Sequence, residues 1–116
     1  MAKTKLFEST ESGTGRDLGT QAWIYCPGCK HYHFLRIRMP AQPTQQEIDD
    51  QRNNVHGLWT FNGDVEQPTF TASLLVGAAI PGSRCHSQIT AGYIIFYADC
   101  DHALKNESVE LPQIDL

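Results

Sequence analysis

Four cysteines, two of them three positions apart, constrain this chain more than any other feature of its sequence. Cys26-Pro27-Gly28-Cys29 is a CxxC turn, and Cys85 and Cys100 are the other two cysteines. Pro and Gly shape a knuckle whose backbone amides can point at sulfur, and a tetrahedral metal site then needs two further donors to close. Two disulfides are the competing use of four cysteines. The N-terminus, Met1 to Glu8, begins basic and lacks the apolar stretch of a secretory signal. That predicts a cytoplasmic setting in which thiols stay reduced. The expectation is one structural zinc ion on Cys26, Cys29, Cys85 and Cys100. His86 directly follows Cys85, and His102 lies two residues past Cys100, so a mixed ligand set stays open beside the all-cysteine one.

A chain of 116 residues fits one domain, and a core of that size often needs a staple. With 41% hydrophobic and 19% charged residues, the composition is that of a folded protein. No apolar run approaches the roughly 18 residues of a membrane-spanning helix. The formal net charge is -4, from 9 basic and 13 acidic residues, and four thiolates on zinc would add roughly -2 more. Such a balance excludes the basic face that nucleic-acid phosphates require. The expected partner is a protein or peptide, not nucleic acid or membrane. The basic cluster of Lys30, His31 and His33 with Arg36 and Arg38 reads as a solvated strand face.

The pattern along the chain predicts a mostly β protein: a small single domain, 1–116, with a zinc-ribbon-like knuckle packed on an antiparallel sheet or open barrel. Residues 1–19 are polar and rich in Gly, Ser and Thr, which reads as an extended or poorly ordered lead before a zinc-stabilised β domain over 20–112. Strands are expected at 21–25 and 33–39 flanking the knuckle, then at 59–61, 69–76, 85–90 and 93–98, with a last short one at 109–112. Thr44 with Glu47 three residues on is a capping box, and predicts a short, peripheral helix within the polar segment 44–54. Asn62-Gly63 marks a turn.

If Ala91-Gly92 is a two-residue turn, Thr90 pairs with Tyr93 and Cys85 with Ala98. Cys100 then lies diagonal to Cys85, roughly 7–8 Å away. His86 points to the face opposite Cys85, because side chains alternate along a strand. Histidines left free by an all-cysteine site would sit near Asp99, and also near Ser73 and Asp64. These are the parts of a hydrolytic site: Ser73 as nucleophile, His86 or His102 as base, Asp99 or Asp64 as orienter. The plainer reading is that Ser73 is a strand serine, the histidines are ordinary hydrogen-bonded residues and Asp64 is a turn former. Spacing alone leaves both open.

The ordered series Trp59-Thr60-Phe61-Asn62-Gly63-Asp64, Pro68-Thr69-Phe70, Ser73-Leu74-Leu75, Cys85-His86, Gly92-Tyr93-Ile94, Asp99-Cys100-Asp101-His102 and Val109-Glu110-Leu111-Pro112 resembles a domain-of-unknown-function family. Its members are small phage, prophage and bacterial proteins, and some accompany ubiquitin-like conjugation systems as presumed peptidases. The resemblance covers 59–112 and, more loosely, the CxxC segment. It departs where the family has Pro before the serine and this chain has Ala72. It implies Ser73, His86 and His102 as site residues, and two readings of function stand beside each other. The first is a zinc-stabilised hydrolase, a peptidase acting on a protein or ubiquitin-like tail. The second is a non-enzymatic phage or prophage protein that binds a host protein in the host cytoplasm.

Overall fold

The computed structural model describes residues 2–53 and 57–114. Among the described residues eight strands and one helix follow in the order β1 (Lys5–Thr10), β2 (Asp17–Cys26), β3 (His31–Arg38), α1 (Gln45–Arg52), β4 (Thr60–Phe61), β5 (Phe70–Val76), β6 (Cys85–Thr90), β7 (Tyr93–Phe96) and β8 (Ser108–Glu110). They form two antiparallel sheets, β1-β2-β3 and β4-β5-β6-β7-β8. One apolar core draws on both. Ala22, Ile24, Cys26 and Leu35 come from the first sheet, and Phe70, Leu74, Cys85, Ile89, Ile94 and Phe96 from the second.

Alternation builds each layer. Along β2 the inward side chains Ala22, Ile24 and Cys26 are fully buried, while Trp23 turns outward onto Phe7 and Phe34 with ring centroids 4.5 Å away in each case. Along β3, His33 and Leu35 face inward and Phe34 is 53% exposed. Arg36 shares the outward side with Phe34 and approaches Glu47, whereas a register shift after it sets Arg38 beside Thr20 and Glu8.

The segment expected to be a lead holds a full edge strand. β1 pairs with β2 from Lys5↔Trp23 to Thr10↔Asp17. Ahead of it Thr4 is buried, donating from its hydroxyl to the Trp23 carbonyl at 2.8 Å. Lys3 donates its amide to the Val65 carbonyl at 2.8 Å and pairs with Glu110 at 3.0 Å. An edge strand needs one ladder partner and one covered face, so its apolar signal shrinks to Leu6-Phe7 and is lost among polar neighbours.

The last hairpin follows the expected register, with Thr90↔Tyr93, Ile89↔Ile94, Gln88↔Ile95 and Ser87↔Phe96. Ala91 (φ 49°) and Gly92 (φ 82°) are both left-handed, as a type I′ turn requires. The helix begins with the expected capping box, in which the Thr44 side chain accepts from the Glu47 amide and the Glu47 side chain from the Thr44 amide, and none of its residues is buried. Asn54, at the end of the expected polar segment, lies outside the described residues. Among the described residues no helix is long and apolar enough to cross a membrane.

Ala91 bears a Cβ in a conformation that costs an ordinary L-residue about 1–2 kcal/mol and that Asn tolerates better. Ala91→Asn is therefore expected to raise the unfolding free energy by about 0.5–1 kcal/mol. The check is a higher urea midpoint at unchanged m-value.

Candidate active site

The β5–β6 ladder carries one large irregularity. Phe70 pairs with Ile89 and Leu74 pairs with Ser87, so Thr71, Ala72 and Ser73 together lie opposite the single residue Gln88. The Gln88 side chain fills the gap, donating from Nε2 to the Phe70 carbonyl at 2.7 Å. A bulge bends its strand and re-aims side chains, and here it turns three consecutive residues outward: Thr71, Ala72 and Ser73 are all exposed. Ala72 takes φ 76°. Proline, fixed near -65°, cannot adopt this conformation, so this chain positions its serine by a different local geometry from a Pro-Ser turn. Trp59 Nε1 donates to the Ser73 carbonyl at 3.4 Å.

His86 stands on the outer face of β6, opposite the buried Cys85. Its Nε2 lies 3.2 Å from Ser73 Oγ, and its Nδ1 lies 3.2 Å and 3.3 Å from the two carboxylate oxygens of Asp99. An ionised carboxylate only accepts, so the proton belongs on Nδ1. Nε2 is then an acceptor, and the Ser73 hydroxyl donates to it. The Tyr97 ring, 4.4 Å from the imidazole centroid, flanks the histidine. Burial pushes the Asp99 carboxyl up, but the hydrogen bond and charge of His86, its own amide and Arg84 outweigh that and hold it below the usual carboxylate range.

Two clasps fix this turn. The Arg84 amide donates to Asp101 Oδ2 at 2.8 Å and the Asp101 amide donates to the Arg84 carbonyl at 2.8 Å. Two residues along the strand, the His86 amide donates to Cys100 Sγ at 3.2 Å and the Cys100 thiol donates back to the His86 carbonyl at 3.1 Å. The two residues that follow Asp99 thus tie it to the strand that carries its histidine.

The other candidates fall elsewhere. Asp64 is a turn former: its Oδ1 accepts from the Glu66 and Gln67 amides at 3.0 and 3.1 Å. The His102 ring stands edge-on to Phe96 at 4.5 Å, and its Nδ1 accepts the Leu104 amide at 3.2 Å. It also covers the knuckle, since a Cβ on Gly28 would meet the ring at 2.3 Å. No bond among the described residues joins His102 to Ser73 or His86.

On the inner side, the CxxC turn closes the β2–β3 hairpin, with Cys26↔His31 as its last pair and the Lys30 amide donating to the Cys26 carbonyl at 2.8 Å. All four cysteines are free thiols. The ligand atoms of Cys26, Cys29, His33 and Cys85 lie within 4.8 Å of one another, and those of Cys85, Cys100 and His102 form a second such group. Sequence reasoning put Cys100 in the fourth ligand position. The structure gathers His33 with the other three and Cys100 with Cys85 and His102, and Cys100 also exchanges hydrogen bonds with the His86 backbone.

The first group fits a metal ion. His33 is 3% exposed, and its Nε2 has no hydrogen-bond partner. Buried polar atoms are rarely orphaned, so an unpaired imidazole nitrogen among thiols marks a ligand position. Cys26 Sγ lies 3.9 Å from Cys85 Sγ. The hydrogen bond from Cys85 pulls the Cys26 thiol strongly down against its burial, helped by His33 and the Cys29 amide. Burial pushes Cys29 up to about 11, and the bond to Cys26 and burial push Cys85 up. A neighbourhood that accepts one thiolate but resists the next is what a cation would relieve. His33 was readable in the sequence. It stands four past Cys29, which makes Cys26-x2-Cys29-x3-His33, and shares its strand face with Leu35.

Against known proteins, the model of the family described as "Bacterial ubiquitination-like system serine protease (BubE)" matches residues 3–97. The chain belongs to this family. No curated protein and no solved structure matches it. The match takes in the knuckle, Ser73 and His86, and ends two residues before Asp99.

The donor set predicts about one metal ion per chain by elemental analysis. Cys26→Ser and His33→Ala should each lower the metal content, because both remove an interior donor. Cys100→Ala, outside the four-donor group, should keep it.

Proposed function

We propose that this chain is a serine protease acting on a polypeptide of a ubiquitin-like system, with Ser73 as nucleophile, His86 as general base and Asp99 as orienter. The observation that carries the reading is the continuous hydrogen-bonded chain from Ser73 Oγ through His86 Nε2 and Nδ1 to Asp99, on an exposed surface. Its distances meet the reach that proton transfer needs, and the family description supplies the reaction class.

The steps follow from the tautomer. Ser73 Oγ attacks the scissile carbonyl carbon while its proton passes to His86 Nε2. Asp99 stays ionised, keeps the Nδ1–H in place and stabilises the imidazolium. The same proton then goes to the departing amine, which leaves an acyl ester on Ser73. A water molecule, deprotonated by His86, attacks the ester, and the proton returns to Ser73 Oγ as the acid product departs.

The metal in this proposal is zinc on Cys26, Cys29, His33 and Cys85, a three-thiolate, one-imidazole set typical of structural sites. It supplies cross-linking between the two sheets and has no place in the bond-breaking steps. His102 supports the knuckle through Gly28 and moves no proton.

Ser73→Ala is expected to abolish labelling by a fluorophosphonate probe while changing stability by no more than about 0.5 kcal/mol, since the hydroxyl is exposed. Asp99→Asn should slow turnover about 10⁴-fold with the fold intact, because an amide favours the wrong imidazole tautomer. Undiminished labelling of the Ser73→Ala protein would overturn the assignment.

A further inference from the structure

The strand that carries Ser73 is half unpaired. β4 reaches only Thr60↔Thr71 and Phe61↔Phe70, so among the described residues Ala72–Val76 have β6 on one side and no strand on the other. The direction of the free groups follows from neighbouring bonds. The Tyr97 amide donates to the His86 carbonyl at 3.0 Å, so the His86 backbone faces β7. Ser87, the next residue, then faces β5, and its partner Leu74 spends its amide and carbonyl on β6. By strand alternation Ser73 and Leu75 present theirs to the open side. The bond from Trp59 Nε1 to the Ser73 carbonyl confirms that orientation, because Trp59 leads into β4.

That open side is a groove. A cavity of about 460 Å³ runs between β3 and β5, lined by Phe34 and Arg36 on one wall, Trp59 at one end and Leu74 to Gly77 on the other wall. Phe34 and Leu75 are each 53% exposed, a large apolar exposure for side chains facing one another across a cleft. Unpaired strand edges invite another backbone, and this one begins at the nucleophile.

We infer that the substrate binds as an added β-strand along the 73–76 edge of β5, an extended polypeptide segment that hydrogen-bonds the Leu75 amide and carbonyl and seats an apolar side chain between Phe34 and Leu75. This rests on the protease reading and deepens it. An unstructured tail or linker offers such a segment without local unfolding, and that is the substrate class inferred. Main-chain pairing supplies affinity and the Phe34–Leu75 wall supplies side-chain preference, the division of labour found in strand-addition recognition. Pairing also sets the scissile carbonyl at a fixed step along the strand from the residue that pairs with Leu75, which is how edge binding becomes positioning.

The test separates the inference from the reading beneath it. A fluorophosphonate needs Ser73 and His86 but no strand pairing, and its failure to label the wild-type protein would count against the protease reading. The probe for the edge is a mixed-sequence pool of tetrapeptidyl diphenyl phosphonates, compared with the same pool N-methylated along its backbone. The unmethylated pool is expected to label Ser73 at least about tenfold faster, the scale of a lost hydrogen bond of about 1.4 kcal/mol. Leu75→Pro removes an amide that faces the open side, a position where edge strands tolerate proline. It keeps the Leu75 carbonyl and loses only the donor, so it should slow labelling by the unmethylated pool by a similar factor and leave the fluorophosphonate rate within about threefold. Equal rates for the two pools on wild-type protein, or no labelling by either while the fluorophosphonate reacts, overturn strand addition. The pool comparison stands even if the proline variant fails to fold.

Discussion

The two sheets meet where Cys26 of β2 approaches Cys85 of β6, sulfur to sulfur at 3.9 Å, and the rest of the molecule is arranged around that meeting. Three of the four clustered donors, Cys26, Cys29 and His33, come from one hairpin, and the fourth opens a strand of the other sheet. Apolar contacts between the layers are non-directional and permit sliding, whereas four convergent donors hold one register. Native stability is a small margin between large opposing terms, so a cross-link at one point counts. The orphaned His33 nitrogen and the opposed shifts of the Cys26 and Cys85 thiols mark this as the place where a cation would bring the most order.

From that point the geometry propagates outward through β6. Its residues alternate strictly, with Cys85, Ser87 and Ile89 buried and His86 and Gln88 on the other face. The interior therefore dictates where the imidazole stands. β5 breaks alternation by its bulge, and only that break brings Ser73 onto the same outer surface. Gln88 links the two devices: it is next but one to the histidine, and its amide occupies the gap the bulge leaves.

Much of this arrangement was legible in the sequence, because it lies in short-range pattern. The CxxC turn, the Ala91-Gly92 hairpin and the Thr44–Glu47 cap each depend on residues within a few positions of one another. Alternation along a strand is enough to put His86 on the face opposite Cys85. Choices that depend on the third dimension were not legible. Nothing local separates His86 from His102, or Asp99 from Asp64, as neighbours of Ser73. Those choices turn on a bulge whose trace in the sequence is an unremarkable Thr-Ala-Ser. β1 was hidden because an edge strand covered mainly by aromatic rings needs few apolar residues. His33 reads as part of a solvated basic cluster because Lys30, His31, Arg36 and Arg38 surround it in the sequence. Its period-two kinship with Leu35 was the better guide.

Cys85 and His86 are consecutive, separated by about 3.3 Å of strand rise, yet one faces the closed interior and the other the open cleft. A displacement of β6 that draws Cys85 away from its partners by even part of that step carries His86 out of reach of a hydroxyl 3.2 Å away. Under the proposed function, such a site can be silenced from behind. A thiol-seeking or chelating reagent acting on the buried face would lower the turnover number without competing for the cleft, and adding substrate would not restore it.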